Sequence, residues 1–329
     1  MTMEKLLYFR QEIIENESKS QYSFDIWFRP LQFVNMKEIF TKQRVIGCLV
    51  GVLIAGFCSS LLSQATSPPE LRVVSLNGSL TEIIYALGRG DHLVGSDTTS
   101  MYPEKALSLP KVGYQRALSL EGIIGLKPTL VIGTEDAGPP SVIDQLSKLG
   151  IKTKILSGEP SLENCLERIK FVGNLLSAQD EAKILIDRIR NRVQKLTTNL
   201  PWKKKPVVMM VFSPARGAVL VAGKKTSASS IIELAGAENY ISEYEGYKPL
   251  SAEVILQKKA DIILITDHTL QSLGGREAIW KLSGLEEIKL NQRPRIVSMD
   301  DLLLLGFSSR LDVAIEELQS KIQNESSRK

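Results

Sequence analysis

The sequence predicts an α/β chain of two similar lobes, each with a central parallel sheet, joined by one long helix. Three observations carry that prediction. Short apolar strands alternate with amphipathic helices in two blocks, a single extended helical pattern separates the blocks, and the second block repeats landmarks of the first. Alternation of this kind implies parallel strands with helices on both faces.

The first block opens with Arg72–Leu76, a short buried-strand pattern. Asn77-Gly78-Ser79 and the apolar helix Leu80–Leu87 follow, Gly88 ends the helix, and His92–Gly95 opens the next strand. Leu118–Leu126 reads as a helix stopped by Pro128, Thr129–Gly133 as a strand, and Val142–Leu149 as a helix capped by Gly150. Ile151–Leu156 is a further strand. From Ser161 to Leu196 apolar residues fall three and four apart (Leu162, Leu166, Ile169, Val172, Leu176, then Ala182, Leu185, Ile189, Val193, Leu196), which is helical spacing. Pro201 and the run Lys203-Lys204-Lys205-Pro206 end it, the lysines reading as a solvated turn. Val207–Phe212 then begins a second alternation. Leu118-Ser119-Leu120-Glu121 falls on Leu250-Ser251-Ala252-Glu253, 132 positions on, and the same offset carries Leu130–Gly133 onto Ile262–Ile265. A Gly-Tyr pair precedes each copy, Gly113-Tyr114 and Gly246-Tyr247. Ligands of such lobes gather beyond the carboxyl ends of the strands.

At 329 residues, 43% hydrophobic and 24% charged, the chain is neither disordered throughout nor a polytopic membrane protein. A formal charge of +4, evenly spread, gives no argument for nucleic acid. Two His, His92 and His268, exclude a centre built from several imidazoles. His92, between a helix end and a strand, reads as structural.

Val45–Leu62 is uncharged and apolar, follows Lys42 and Arg44, and is closed by Ser63-Gln64-Ala65. A basic flank, an apolar run and a small-x-small stop read as a cleavable secretory signal peptide, with an uncleaved anchor as the competing reading. Met1–Asn35 is long and acidic for the start of a signal, whereas Met36 begins one of ordinary length. The expected division is therefore 1–35 a non-native extension, 36–65 signal, 70–158 first lobe, 159–200 connecting helix and 204–329 second lobe. Phe57 before Cys58 argues against a lipid anchor. Cleavage leaves Cys165 alone, so no intramolecular disulfide can form.

The stretches VVSLNGSLTEIIYALG, DTTSMYPEKALSLPKVGYQRALSLEGI, TEDAGPP, GYKPLSAE and MDDLLLLGFSSRL span both lobes. Through them the chain resembles the substrate-binding proteins of ABC importers for cobalamin, siderophores or haem (the class III periplasmic binding protein fold), and within these the haem branch. The resemblance implies a periplasmic, monomeric, non-enzymatic carrier that takes haem as cargo. It hands the haem to an inner-membrane permease dimer with its ATPase, in the service of iron acquisition. It also implies that Tyr114, in the GYxR segment, binds ferric iron, with Arg116 beside it. The chemistry agrees: ferric iron is hard, a phenolate is a hard oxygen donor, and a guanidinium nearby favours the ionised phenol. Where some members place a His in the second lobe, this chain has Phe212–Gly217 without one. Tyr247 is then expected to stack on the porphyrin, Lys248 and Arg216 to meet propionates or simply solvent, and His268 to reach the haem edge. Glu121 and Glu253, early in repeat-related helices, are the residues that the resemblance implies dock on permease arginines. The alternatives are a corrinoid or ferric-siderophore carrier and, in another class, a haem-degrading or haem-handling enzyme.

Overall fold

The computed structural model describes residues 70–324 except 214–218, 257 and 283, all within the unit Pro68–Lys329. The expected extension, the expected signal peptide and Arg216 lie outside the described residues.

The first lobe runs β1 (Val73–Ser75), α1 (Gly78–Ala86), β2 (Leu93–Ser96), β3 (Gly113–Tyr114), β4 (Ala117–Leu118), α2 (Leu120–Gly125), β5 (Leu130–Thr134), α3 (Pro140–Lys148) and β6 (Lys152–Leu156). Its main sheet has the order β2-β1-β5-β6, and every pairing is parallel. The central strands β1 and β5 are buried along their whole length. That burial on both faces is why they read as unbroken apolar runs rather than alternating ones.

Where the sequence reads as one connecting helix, the structure has two, α4 (Leu162–Leu175) and α5 (Gln179–Thr198). The break falls at Leu176–Ala178, where Ser177 takes a left-handed φ of 53° that a continuing helix does not allow. The two helices pack against each other. Of the positions that the three-and-four spacing names, Leu166, Ile169 and Val172 are buried on one helix and Ala182, Leu185, Ile189 and Val193 on the other, while Leu162 and Leu196 at the outer ends are half-buried.

The second lobe comprises β7 (Val207–Phe212), β8 (Leu220–Ala222), α6 (Ser227–Leu234), β9 (Glu238–Asn239), β10 (Tyr247–Pro249), α7 (Ala252–Leu256), β11 (Ile262–Thr266), α8 (Asp267–Ser272), α9 (Arg276–Ile279), β12 (Arg295–Met299), α10 (Asp301–Leu305) and α11 (Leu311–Asn324). Its sheet order is β10-β8-β7-β11-β12, with β9 also on β7. The expected parallel pairing holds for β7, β11 and β12. It fails at the edge, where β8 runs antiparallel to β7 and β10 antiparallel to β8. Only residues 213–219 separate β7 from β8, too few for the crossover that parallel neighbours need. The internal repeat is structural: β5 and β11 occupy equivalent spans, as do α2 and α7. Ser119 Oγ accepts the Gly122 amide at the first of these helices, and Ser251 Oγ accepts the Val254 amide at the second, the same cap in each lobe.

One apolar core runs from β1 and α1 through α4 and α5 to β7, α6, β11 and α11. Beside it lies a polar seam. Glu82 on α1, 1% exposed, accepts hydrogen bonds from Ser309 Oγ (2.8 Å), Arg310 Nη2 (2.7 Å) and Ser308 Oγ. Arg168 on α4, 4% exposed, donates to the Phe307 carbonyl (2.6 Å) and to Ser79 Oγ (3.2 Å). Arg188 on α5 donates to the Ser309 carbonyl at 2.6 Å. Residues 307–310 of the second lobe are thus tied to a first-lobe helix and to both connecting helices, which opposes wide separation of the lobes.

Candidate functional site

The first-lobe wall of the site is a two-residue hairpin. Gly113 has φ 109°, and a Cβ there would stand 2.7 Å from the Ala117 carbonyl oxygen, so the turn-in to Tyr114 requires glycine. The Thr98 amide donates to the Gly113 carbonyl and the Gly138 amide to the Gln115 carbonyl. The Gln115 side chain accepts from Asn77 Nδ2 at 2.8 Å, and Asn77 also caps α1 and donates to Thr134 Oγ1 at the end of β5. The carboxyl ends of β1 and β5 therefore set the hairpin's position. What it presents is Tyr114, 45% exposed, with Arg116 beside it. Arg116 Nη2 donates to Asp136 Oδ1 at 2.6 Å. That hydrogen bond, with the charge of Asp136 and smaller contributions from Tyr114, raises the guanidinium pKa against the opposing cost of burial. Arg116 stays cationic and is held between a carboxylate and a phenol.

The second-lobe wall is Tyr247 on β10. Its ring packs on Phe212, at the carboxyl end of β7, with centroids 5.9 Å apart and planes tilted 51°, an arrangement favoured by aromatic quadrupoles. Burial pushes the Tyr247 phenol up, partly offset by a hydrogen bond to Thr226 and by the charge of Arg116. The charge of Arg116 on the first lobe therefore reaches the phenol of the second. At neutral pH Tyr247 is a neutral phenol, suited to stacking.

The structure brings together Tyr114, Arg116 and Tyr247 and sets the other expected residues apart. Lys248 lies on the opposite face of β10 from Tyr247, as strand alternation requires, with its ammonium 4.3 Å from the Tyr244 ring centroid. His268 is exposed at the start of α8. Its backbone amide donates to Asp301, and its imidazole has no hydrogen-bond partner among the described residues. His92 is half-buried in a short helical turn before β2. Glu121 and Glu253 are exposed in the first turns of α2 and α7, and neither forms an ion pair among the described residues. Sequence reasoning missed three participants, Asp136, Asn77 and Phe212. Asp136 stands in the loop after β5, where a ligand-facing carboxylate is to be expected, but its pairing with Arg116 is a tertiary fact.

The periplasmic binding protein family matches residues 73–301. The chain belongs to that family. Its members are transport components rather than enzymes. A vitamin B12-binding protein of Photorhabdus laumondii is 26% identical over 284 residues, covering 84% of this chain and 97% of the relative. An uncharacterized ABC transporter substrate-binding lipoprotein of Bacillus subtilis, YvrC, is 28% identical over 256 residues, covering 76% and 79%. Among solved structures, the periplasmic heme-binding protein RhuT from Roseiflexus sp. RS-1 is 35% identical with a TM-score of 0.74, covering 78% of this chain and 100% of that one. A periplasmic heme-binding protein from Pseudomonas aeruginosa is 34% identical with a TM-score of 0.70, covering 77% and 92%. The fold is the class III periplasmic binding protein fold.

Proposed function

We propose that this chain is the substrate-binding component of an ABC importer, exported across the inner membrane, and that it carries ferric haem between its lobes. The observation that carries the reading is the exposed Tyr114 on a glycine-dependent hairpin, with the Arg116 cation beside it. A phenol held next to a guanidinium is poised to ionise on a hard cation, because the positive charge favours the phenolate. Tyr247, a partly exposed neutral phenol within reach of the Arg116 charge, supplies an aromatic surface for a porphyrin rather than a second anionic ligand. The likeness to heme-binding proteins at 34–35% identity supports the same cargo.

Titration of the purified chain with haem should give a Soret shift at about one equivalent or two. Tyr114→Ala should abolish the charge-transfer bands of a phenolate complex and weaken binding at least about tenfold, or 1.4 kcal/mol. An unchanged spectrum and affinity in that variant sinks the iron-ligand role.

Delivery to a permease dimer with its ATPase is the second half of the proposal. The two lobes present Glu121 and Glu253 at equivalent, exposed helix starts, a spaced pair of carboxylates suited to two basic sites on a symmetric partner. Reversing both to Lys should stop transport and leave the haem titration unchanged; transport that survives removes the docking role.

The vitamin B12-binding relatives favour one second reading, a corrinoid cargo. Cobalamin binding with no haem-induced Soret shift would establish it in place of the first.

A further inference from the structure

At the far end of the second-lobe sheet from the tyrosines, where β7, β11 and β12 begin, lies a recess of about 440 Å³. Five cations line it: Lys204 and Lys205 from the turn after α5, Lys259 before β11, and Arg293 and Arg295 at the start of β12. The one carboxylate in the lining, Asp261, is already engaged, its Oδ2 accepting the Val207 amide at 2.9 Å. None of the five cations forms an ion pair among the described residues. Arg295 Nη2 donates to the Ile322 carbonyl at 3.0 Å, and the Arg293 guanidinium lies 4.7 Å from the Trp280 ring centroid. Each of these two arginines still carries a buried nitrogen without a hydrogen-bond partner, Nε of Arg293 and Nη1 of Arg295. Unmet buried donors are uncommon in folded proteins, and here they leave both guanidiniums with hydrogen-bonding capacity that the surrounding residues do not use.

Like charges gathered in one recess repel, and a multivalent anion converts that repulsion into attraction. Two guanidiniums present flat N–H forks that match the oxygens of a phosphoryl group, and the lysines add mobile point charges. The recess is at the amino ends of the strands, so it is separate from the tyrosine-lined cleft at their carboxyl ends. We propose that it binds a small, multivalent phosphate-type anion, either a soluble phosphate compound or the headgroup of an anionic lipid.

Calorimetric titration of the purified chain with inorganic pyrophosphate at low salt tests this. Saturable binding is expected, weakening as salt is raised and falling about tenfold in Lys204→Gln/Lys259→Gln. Lys148→Gln/Lys152→Gln, the same charge change on exposed first-lobe positions, should leave it unaltered. The haem titration should be identical in all three proteins. Co-sedimentation with phosphatidylglycerol vesicles that pyrophosphate displaces assigns the headgroup as source. Pyrophosphate binding without co-sedimentation assigns a soluble ligand. Absence of saturable binding at low salt, or equal weakening in both lysine pairs, overturns the proposal.

Discussion

Replacing Glu82 by Ala tests what holds the two lobes in register. The carboxylate is 1% exposed and is the shared acceptor for Ser308, Ser309 and Arg310. Its removal strands two hydroxyls and a guanidinium that is 20% exposed. Breaking a buried ion pair from one side costs about 3–5 kcal/mol. Here Arg310 keeps some solvent and its stack on Tyr102, 3.6 Å from the ring centroid, so the lower end applies, about 3 kcal/mol. For a chain of this size each kcal/mol moves the melting temperature by about 2–4 °C, giving an expected fall of about 6–12 °C. Urea denaturation followed by circular dichroism gives the free energy, and a thermal scan gives the midpoint. The double variant Glu82→Met/Arg310→Met should recover much of the loss, because no uncompensated charge is left in the seam. A loss below about 1 kcal/mol for Glu82→Ala, or a double variant no better than the single, would refute the view that this charge pairing stabilises the lobe junction.

Other expectations follow from single residues. Gly113→Ala forces a side chain into a left-handed φ and against the Ala117 carbonyl; it should cost about 1–3 kcal/mol and weaken haem binding in the titration, and an unchanged affinity would show that the hairpin does not aim Tyr114. Asn77→Ala removes the cap of α1 and the bonds to Gln115 and Thr134. A loss of about 2 kcal/mol in urea is expected, and a loss no larger than an exposed surface change would count against it. Burial pushes the Cys165 thiol up to about 12, so in a chain shortened to begin at Thr66 a thiol reagent at pH 8 should label it only in denaturant. Fast labelling of the native protein would contradict the burial. Because the folded thiol titrates above its unfolded value, its contribution to stability is complete below the unfolded pKa. That contribution is lost as pH rises towards 12, which a urea series from pH 8 to pH 10.5 should register as declining stability.

Much of this architecture was legible one residue at a time. The strand Val207–Phe212 matched its apolar run, α4 and α5 buried most of the positions that helical spacing named, and the repeat located equivalent strands and helices in both lobes. These features depend on neighbours a few residues away, which is where propensity, capping and periodicity act. The break at Ser177 was not legible, since the apolar spacing continues across it. Neither was the antiparallel edge of the second sheet, where loop length outweighed the alternation.

The sequence by itself therefore determined the two-lobed α/β plan, the repeated Gly-Tyr pairs and the chemistry available at Tyr114 and Arg116. Only the tertiary structure decided which groups share a site. Asp136 reaches Arg116 across 20 positions, Glu82 meets Ser308 to Arg310 across 226 to 228, and the basic recess collects three separate strand entries. Such pairings cost chain entropy that only the cooperative burial of the whole core offsets. No local pattern encodes them, and they form when the lobes fold.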